Sequence, residues 1–192
     1  MHILSKLDIK KNRIYHQNIM KNTQKRIEKD ALGSVKVPKN AYFGSSTARA
    51  MKNFQISSIT APEIFHISLG IVKLSALRTN YKLKLLTSNQ KQAVEKACKE
   101  FINGKFKKQF TLDIFQAGAG TSYNMNANEI IANRANEILG GKKGKYKFVH
   151  PNNHVNLAQS TNDVIPTATR IAILLLLPKL LENINSLIEE LN

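Results

Sequence analysis

"QAGAGTSYNMNANEIIANRA", residues 116–135, joins a flexible, hydroxyl-rich loop to a helix studded with asparagine. Gly118 and Gly120 supply backbone freedom, and Thr121 and Ser122 follow where the helix should begin. Ile131, Ala135 and Ile138 recur at helical spacing and predict an inward face, with Gly140 and Gly141 closing the helix. The loop does not fit a G-x-G-x-x-G dinucleotide fingerprint, because position 123 is Tyr, and no lysine follows as in a P-loop. Two readings remain: a capped flexible loop, or a helix N-terminus whose free N–H groups receive a carboxylate or phosphate.

A second polar stretch, "HPNNHVNLAQSTNDVIPTATRIA", spans residues 150–172. Ser160, Thr161, Asn162 and Asp163 are consecutive good N-caps, and a helix uses one. The surplus is a run of short side chains, mostly neutral. Hydrogen bonds from such groups to a charged acceptor are worth roughly 1.5–3 kcal/mol each. His150 and His154 raise the question of a metal. With no cysteine nearby and no supporting carboxylate, structural or surface histidines are the expectation. Neither stretch shows a nucleophile, base and orienter that spacing alone defines.

Around these stretches the chain is predicted mainly helical. Thr60 and Glu63 form a Thr-x-x-Glu capping box with Pro62 in the first turn, followed by Ile64, Ile67, Ile71, Leu74 and Leu77 as an apolar stripe. A second helix starts near Ser88, buries Val94, Ala97, Cys98 and Phe101, and stops at Gly104. A last helix begins at "STND", with a kink or break expected at Pro178, since an internal proline costs about 3 kcal/mol. Residues 164–191 are apolar on much of their circumference, so several neighbours must bury them, from another copy or from a longer protein. Upstream, "RIEKDALGSVKVPKNAYFG" predicts a small hairpin about Gly33–Ser34, with Val35 and Val37 on one face and Pro38 at its end.

The 192 residues carry 29 Lys plus Arg against 13 Asp plus Glu, a net charge of +16. The lysines are spread along the chain without interleaved aromatics, so solvated faces are favoured over a nucleic-acid surface. The single Cys98 excludes an internal disulfide and a multi-cysteine zinc site, and its helical position predicts a buried, inert thiol. The longest uninterrupted apolar run, Ile171 to Leu177, is too short for a membrane span, and no membrane partner is expected. The N-terminus lacks a signal-peptide pattern, so a cytoplasmic location is expected. Residues 1–25 read as a loose basic extension, with Met20 as an alternative start.

Together, "RIEKDALGSVKVPKNAYFGSSTARAMKNFQIS", "QAGAGTSYNMNANEIIANRA" and "HPNNHVNLAQSTNDVIPTA" resemble, in order and spacing, three segments of the fumarase/aspartase superfamily. Within it, Ala119, Thr161 and the "NFQIS" ending at Ser57 look aspartase-like rather than fumarase-like. The resemblance implies a small N-terminal β-hairpin and helical N-terminal domain over residues 26–162, then the first long helix of a central helical bundle over 163–192. It implies reversible loss of ammonia from L-aspartate to give fumarate, with no cofactor and a homotetramer whose sites are shared between subunits. By the same resemblance Thr121, Ser160 and Thr161 would donate to the substrate β-carboxylate, and Asn162 would hold the amino group. The family's catalytic serine lies later in the chain than Asn192, so no catalytic residue is expected here. A class II fumarase, eliminating water from malate, is the alternative, and a non-catalytic piece that associates with a partner chain is a third. Asn153 departs from the more common "PND", which bears on any secondary anion site near His150.

Overall fold

The computed structural model describes residues 24–57, 59–116 and 118–192. The basic extension and the alternative start at Met20 lie outside the described residues, except for Gln24 and for Lys25, which already belongs to the first strand.

Strand β1 (Lys25–Asp30) pairs antiparallel with β2 (Gly33–Pro38), as the alternation about Gly33 predicted. Gly33 turns the hairpin at a φ of 101°, a conformation that a side chain strongly disfavours. Val37 is fully buried and Val35 half-buried. Five helices follow: α1 (Ser45–Asn53), α2 (Glu63–Lys82), α3 (Ser88–Ile102), α4 (Thr121–Ile138) and α5 (Thr161–Leu191). A short 3-10 turn (Lys107–Gln109) precedes α4, and a single π turn (Pro151–Val155) precedes α5. The architecture is therefore mainly α with one small N-terminal sheet.

Helix α4 is the centre of the packing. Ile130, Ile131, Ala132 and Ala135 have no exposed surface, and the helix lies against α1, α3 and the π turn. Its asparagines are tethers for neighbouring backbone. Asn133 donates to the Tyr42 carbonyl at 2.7 Å and accepts from the Gly144 N–H at 2.7 Å. Asn136 donates to the Val149 carbonyl at 2.6 Å and accepts from the Phe148 N–H at 2.9 Å. Each side-chain amide thus replaces the backbone partners that an irregular segment lacks, which is why polar residues persist on a buried helix.

Helix α3 matches its sequence pattern: Val94, Ala97, Cys98 and Phe101 are all buried, Thr87 forms a capping box with Gln90, and Gly104 follows the end at a φ of 77°. Burial pushes the Cys98 thiol up to about 12, consistent with an inert residue.

Three expectations are corrected. Thr60 does not cap α2. It sits in an extended bridge opposite Asp113, and the helix starts from Pro62 without a side-chain cap. Of the predicted α2 stripe only Leu77 is buried; the deep face is His66, Leu69, Lys73, Leu77 and Asn80. This helix is apolar around much of its surface, so periodicity could not tell which side faces inward. Finally, of the kink or break expected at Pro178, the break does not occur: α5 is one helix through that residue. Leu174, whose carbonyl loses its helical donor there, is 64% exposed, so that carbonyl is not stranded in a core.

Helix α5 also bears on the membrane expectation. It is long and apolar enough to cross a membrane by length and composition, although no uninterrupted apolar run reaches that length. Only Val164, Ala168 and Ala172 are buried, and Ile173, Leu174, Leu180, Leu187 and Ile188 are each more than half exposed.

Candidate functional site

The glycine loop and the "STND" run meet at the N-termini of α4 and α5. Gly118 and Gly120 adopt φ values of 65° and 83°, the second forming the N-cap of α4. A Cβ on Gly120 would lie 3.0 Å from Cγ1 of Ile165 on α5, so the two segments are in close contact. Glycine is needed there for conformation and for space. Thr121 opens α4 and is exposed; the N-cap glycine has no side chain, and Gln116 Oε1 accepts the Tyr123 N–H of the first turn at 3.1 Å. At α5, Ser160 is the N-cap and its Oγ accepts the Asn162 N–H at 3.2 Å. Ser160 and Asn162 are exposed and Thr161 is half-buried. Two helix N-termini, each with partial positive charge, therefore open beside one cluster of hydroxyl and amide groups.

Behind this cluster lies a network that the sequence reading missed. Lys73 of α2 is 1% exposed, and its Nζ donates to Asn124 Oδ1 at 2.6 Å, Asn156 Oδ1 at 2.9 Å and Gln159 Oε1 at 2.9 Å. Among the described residues none of these partners carries a negative charge. Asn124 Nδ2 in turn donates to Thr161 Oγ1 at 2.9 Å and to Asn156 Oδ1 at 3.1 Å. Burial pushes the Lys73 pKa down to about 7. Three acceptors around one nitrogen oppose that shift, because an ammonium has three protons to give and a neutral amine only two.

The two histidines of the second stretch have structural partners. His150 Nδ1 accepts the backbone N–H groups of Asn152 at 3.2 Å and Asn153 at 3.3 Å, capping the π turn. His154 Nδ1 accepts the His150 N–H at 2.7 Å. Both pKa values are pushed down by burial, and His154 further by its neighbour His150.

Two buried carboxylates, away from this cluster, anchor the start of α1. Glu129 of α4 accepts from the backbone N–H groups of Gly44, Ser46 and Thr47 and from the Thr47 hydroxyl. Burial pushes its carboxyl pKa up, against the pull of those donors. Glu28 accepts from the Ser45 N–H at 3.1 Å and pairs with Arg26 at 2.7 Å. Both carboxylates face the start of α1, where the dipole favours negative charge. Their acceptor oxygens are taken up by that role.

Two helix N-termini beside a hydroxyl-rich cluster suit an anion such as a carboxylate or phosphate. The lyase family model matches residues 33–192, and the chain belongs to that family, within the fumarase/aspartase superfamily. It is 53% identical over 162 residues to an aspartate ammonia-lyase of a Bacillus species, covering 84% of this chain and 34% of that protein. It is 49% identical over 155 residues to a class II fumarate hydratase of Wigglesworthia glossinidia brevipalpis, covering 80% and 33%. Among solved structures, a fumarate lyase:delta crystallin from Brucella melitensis superposes with a TM-score of 0.77 at 48% identity, covering 79% of this chain and 36% of that one. The chain thus spans about a third of the length of these relatives.

Proposed function

We propose that the chain supplies the N-terminal share of an aspartate ammonia-lyase site, binding aspartate or fumarate through Thr121, Ser160, Thr161 and Asn162. The observation that carries this reading is the meeting of the α4 and α5 N-termini, joined by the Asn124–Thr161 hydrogen bond at 2.9 Å. Loss of the β-proton from aspartate builds charge on the β-carboxylate. Hydroxyl donors and helix N-termini aimed at that carboxylate hold it harder as the charge grows, which lowers the barrier. Ala119 and Thr161 favour ammonia elimination over the fumarase reading, which the similarity to a class II fumarate hydratase keeps as the second candidate.

In this reading residues 26–162 form the N-terminal domain and 163–192 open a helical bundle. The exposed leucines of α5 then face other bundle helices, from further chain or from other subunits of a homotetramer. The lyase model continues to residue 192, which favours a bundle helix over a membrane span. The side chains that complete catalysis come from outside residues 1–192, so this chain alone is not expected to turn over aspartate.

Complementation tests the proposal. The chain is co-expressed with the remainder of the Bacillus relative, and fumarate formation is followed from aspartate and from malate. Fumarate from aspartate only in the presence of both pieces supports it. Fumarate from malate instead favours the fumarase reading, and turnover by this chain alone contradicts the division of the site.

A further inference from the structure

Lysine ammonium groups can only donate hydrogen bonds, and this fixes the direction of every bond beyond Lys73. The Asn124 side chain must turn its Oδ1 toward Lys73, 2.6 Å away, and therefore its Nδ2 toward Thr161. Thr161 Oγ1 then accepts from Asn124, and its own proton has no acceptor among the described residues. Asn156 repeats the arrangement: its Oδ1 faces Lys73, and its Nδ2 donates to the Gln159 carbonyl at 3.0 Å. We propose that Lys73 is a positioning residue. Its buried charge, relayed through the Asn124 amide, turns the Thr161 hydroxyl outward as a donor to a substrate carboxylate.

The relay does two things. Each donor in the chain polarises the next, so the Thr161 O–H becomes a stronger donor than an isolated threonine. It also places a positive charge, unpaired by any carboxylate among the described residues, beneath a site for an anion, where low dielectric lengthens its reach. Lys73 never touches the substrate. It acts through Asn124, and a neutral residue of the same size could fill its space without setting the direction of the bonds.

This inference rests on the lyase reading of the site, and its test separates the two. The full chain, labelled with 15N, is titrated with fumarate while the backbone amides of Thr161 and Asn162 and the Lys73 side-chain nitrogen are followed by NMR. The unsubstituted chain should show an ammonium-type Lys73 signal and saturable shifts at both amides. Asn124→Asp keeps an acceptor for Lys73 but offers a carboxylate oxygen where Thr161 receives its proton, so the Thr161 hydroxyl turns inward. It should weaken fumarate binding by about tenfold or more, the loss expected for a hydrogen bond to a charged group, with thermal stability unchanged or raised. Lys73→Met should weaken binding similarly; if it does not fold, Asn124→Asp decides alone. Fumarate binding by Asn124→Asp equal to that of the unsubstituted chain overturns the relay while leaving the lyase reading intact. An amine-type Lys73 signal at neutral pH also overturns it. No fumarate shift in the unsubstituted chain overturns the lyase reading, and the substrate end of the relay with it.

Discussion

Glu129 Oε2 accepts the Thr47 hydroxyl at 2.6 Å, although the two residues stand 82 positions apart. That bond, with the N–H groups of Gly44, Ser46 and Thr47, ties the N-terminus of α1 to the middle of α4. Glu129→Ala leaves these donors buried without an acceptor and should cost about 3–5 kcal/mol. Glu129→Gln keeps the shape and one acceptor oxygen and should cost less. Urea denaturation of both variants checks the order.

His66 stacks on Phe110 with ring centroids 3.9 Å apart, and its buried Nε2 has no partner among the described residues. Burial holds its pKa down, from 6.5 to about 4. Below pH 6.5 the unfolded chain takes up a proton that the folded chain refuses. This contribution is therefore intact above pH 6.5 and is lost as pH falls toward 4, by about 3 kcal/mol in all. Stability measured across that window should fall more steeply for the unsubstituted chain than for His66→Leu.

Gly70 lies where α2 crosses α3. A Cβ there would meet Ile102 Cγ1 at 2.7 Å and Phe101 Cδ1 at 2.8 Å. Alanine gains about 1 kcal/mol of helix propensity over glycine, while forced repacking costs about 1–3 kcal/mol. Phe101 is 1% exposed and has no room to retreat, so repacking should win. Gly70→Ala is expected to lower the melting temperature; a rise would show that α2 and α3 can separate at no cost.

Leu174 and Leu181 are 64% and 50% exposed, seven residues apart on one face of α5. An apolar face of this extent drives association in water. The chain should sediment as concentration-dependent oligomers, and Leu174→Glu with Leu181→Glu should shift it toward monomer. An unchanged distribution would mean that this face is not what associates.

Local signals carried much of the fold. The hairpin about Gly33, the α3 stripe and its stop at Gly104, and the Ser160 cap of α5 each depend on residues close together in sequence. Two of the errors share a cause. Whether Thr60 caps α2 is decided by its pairing with Asp113, and which side of α2 is buried is decided by α3 and α5. At the candidate site the exposed hydroxyls were legible because four cap-forming residues in a row exceed what a helix needs. Lys73 was not. On a helix with 1.5 Å rise per residue, a lone lysine reads as a solvated side chain. Only the convergence of Asn124, Asn156 and Gln159, from distant parts of the chain, makes its burial intelligible.

The central claim is that short neutral groups from α4 and α5 hold a dicarboxylic acid between them. A crystal structure of the chain with fumarate tests it most directly. One fumarate carboxylate should lie within hydrogen-bonding distance of the Thr121, Ser160 and Thr161 hydroxyls, with Asn162 beside the carbon that would bear the amino group. Fumarate bound elsewhere, with those hydroxyls free, would contradict the account.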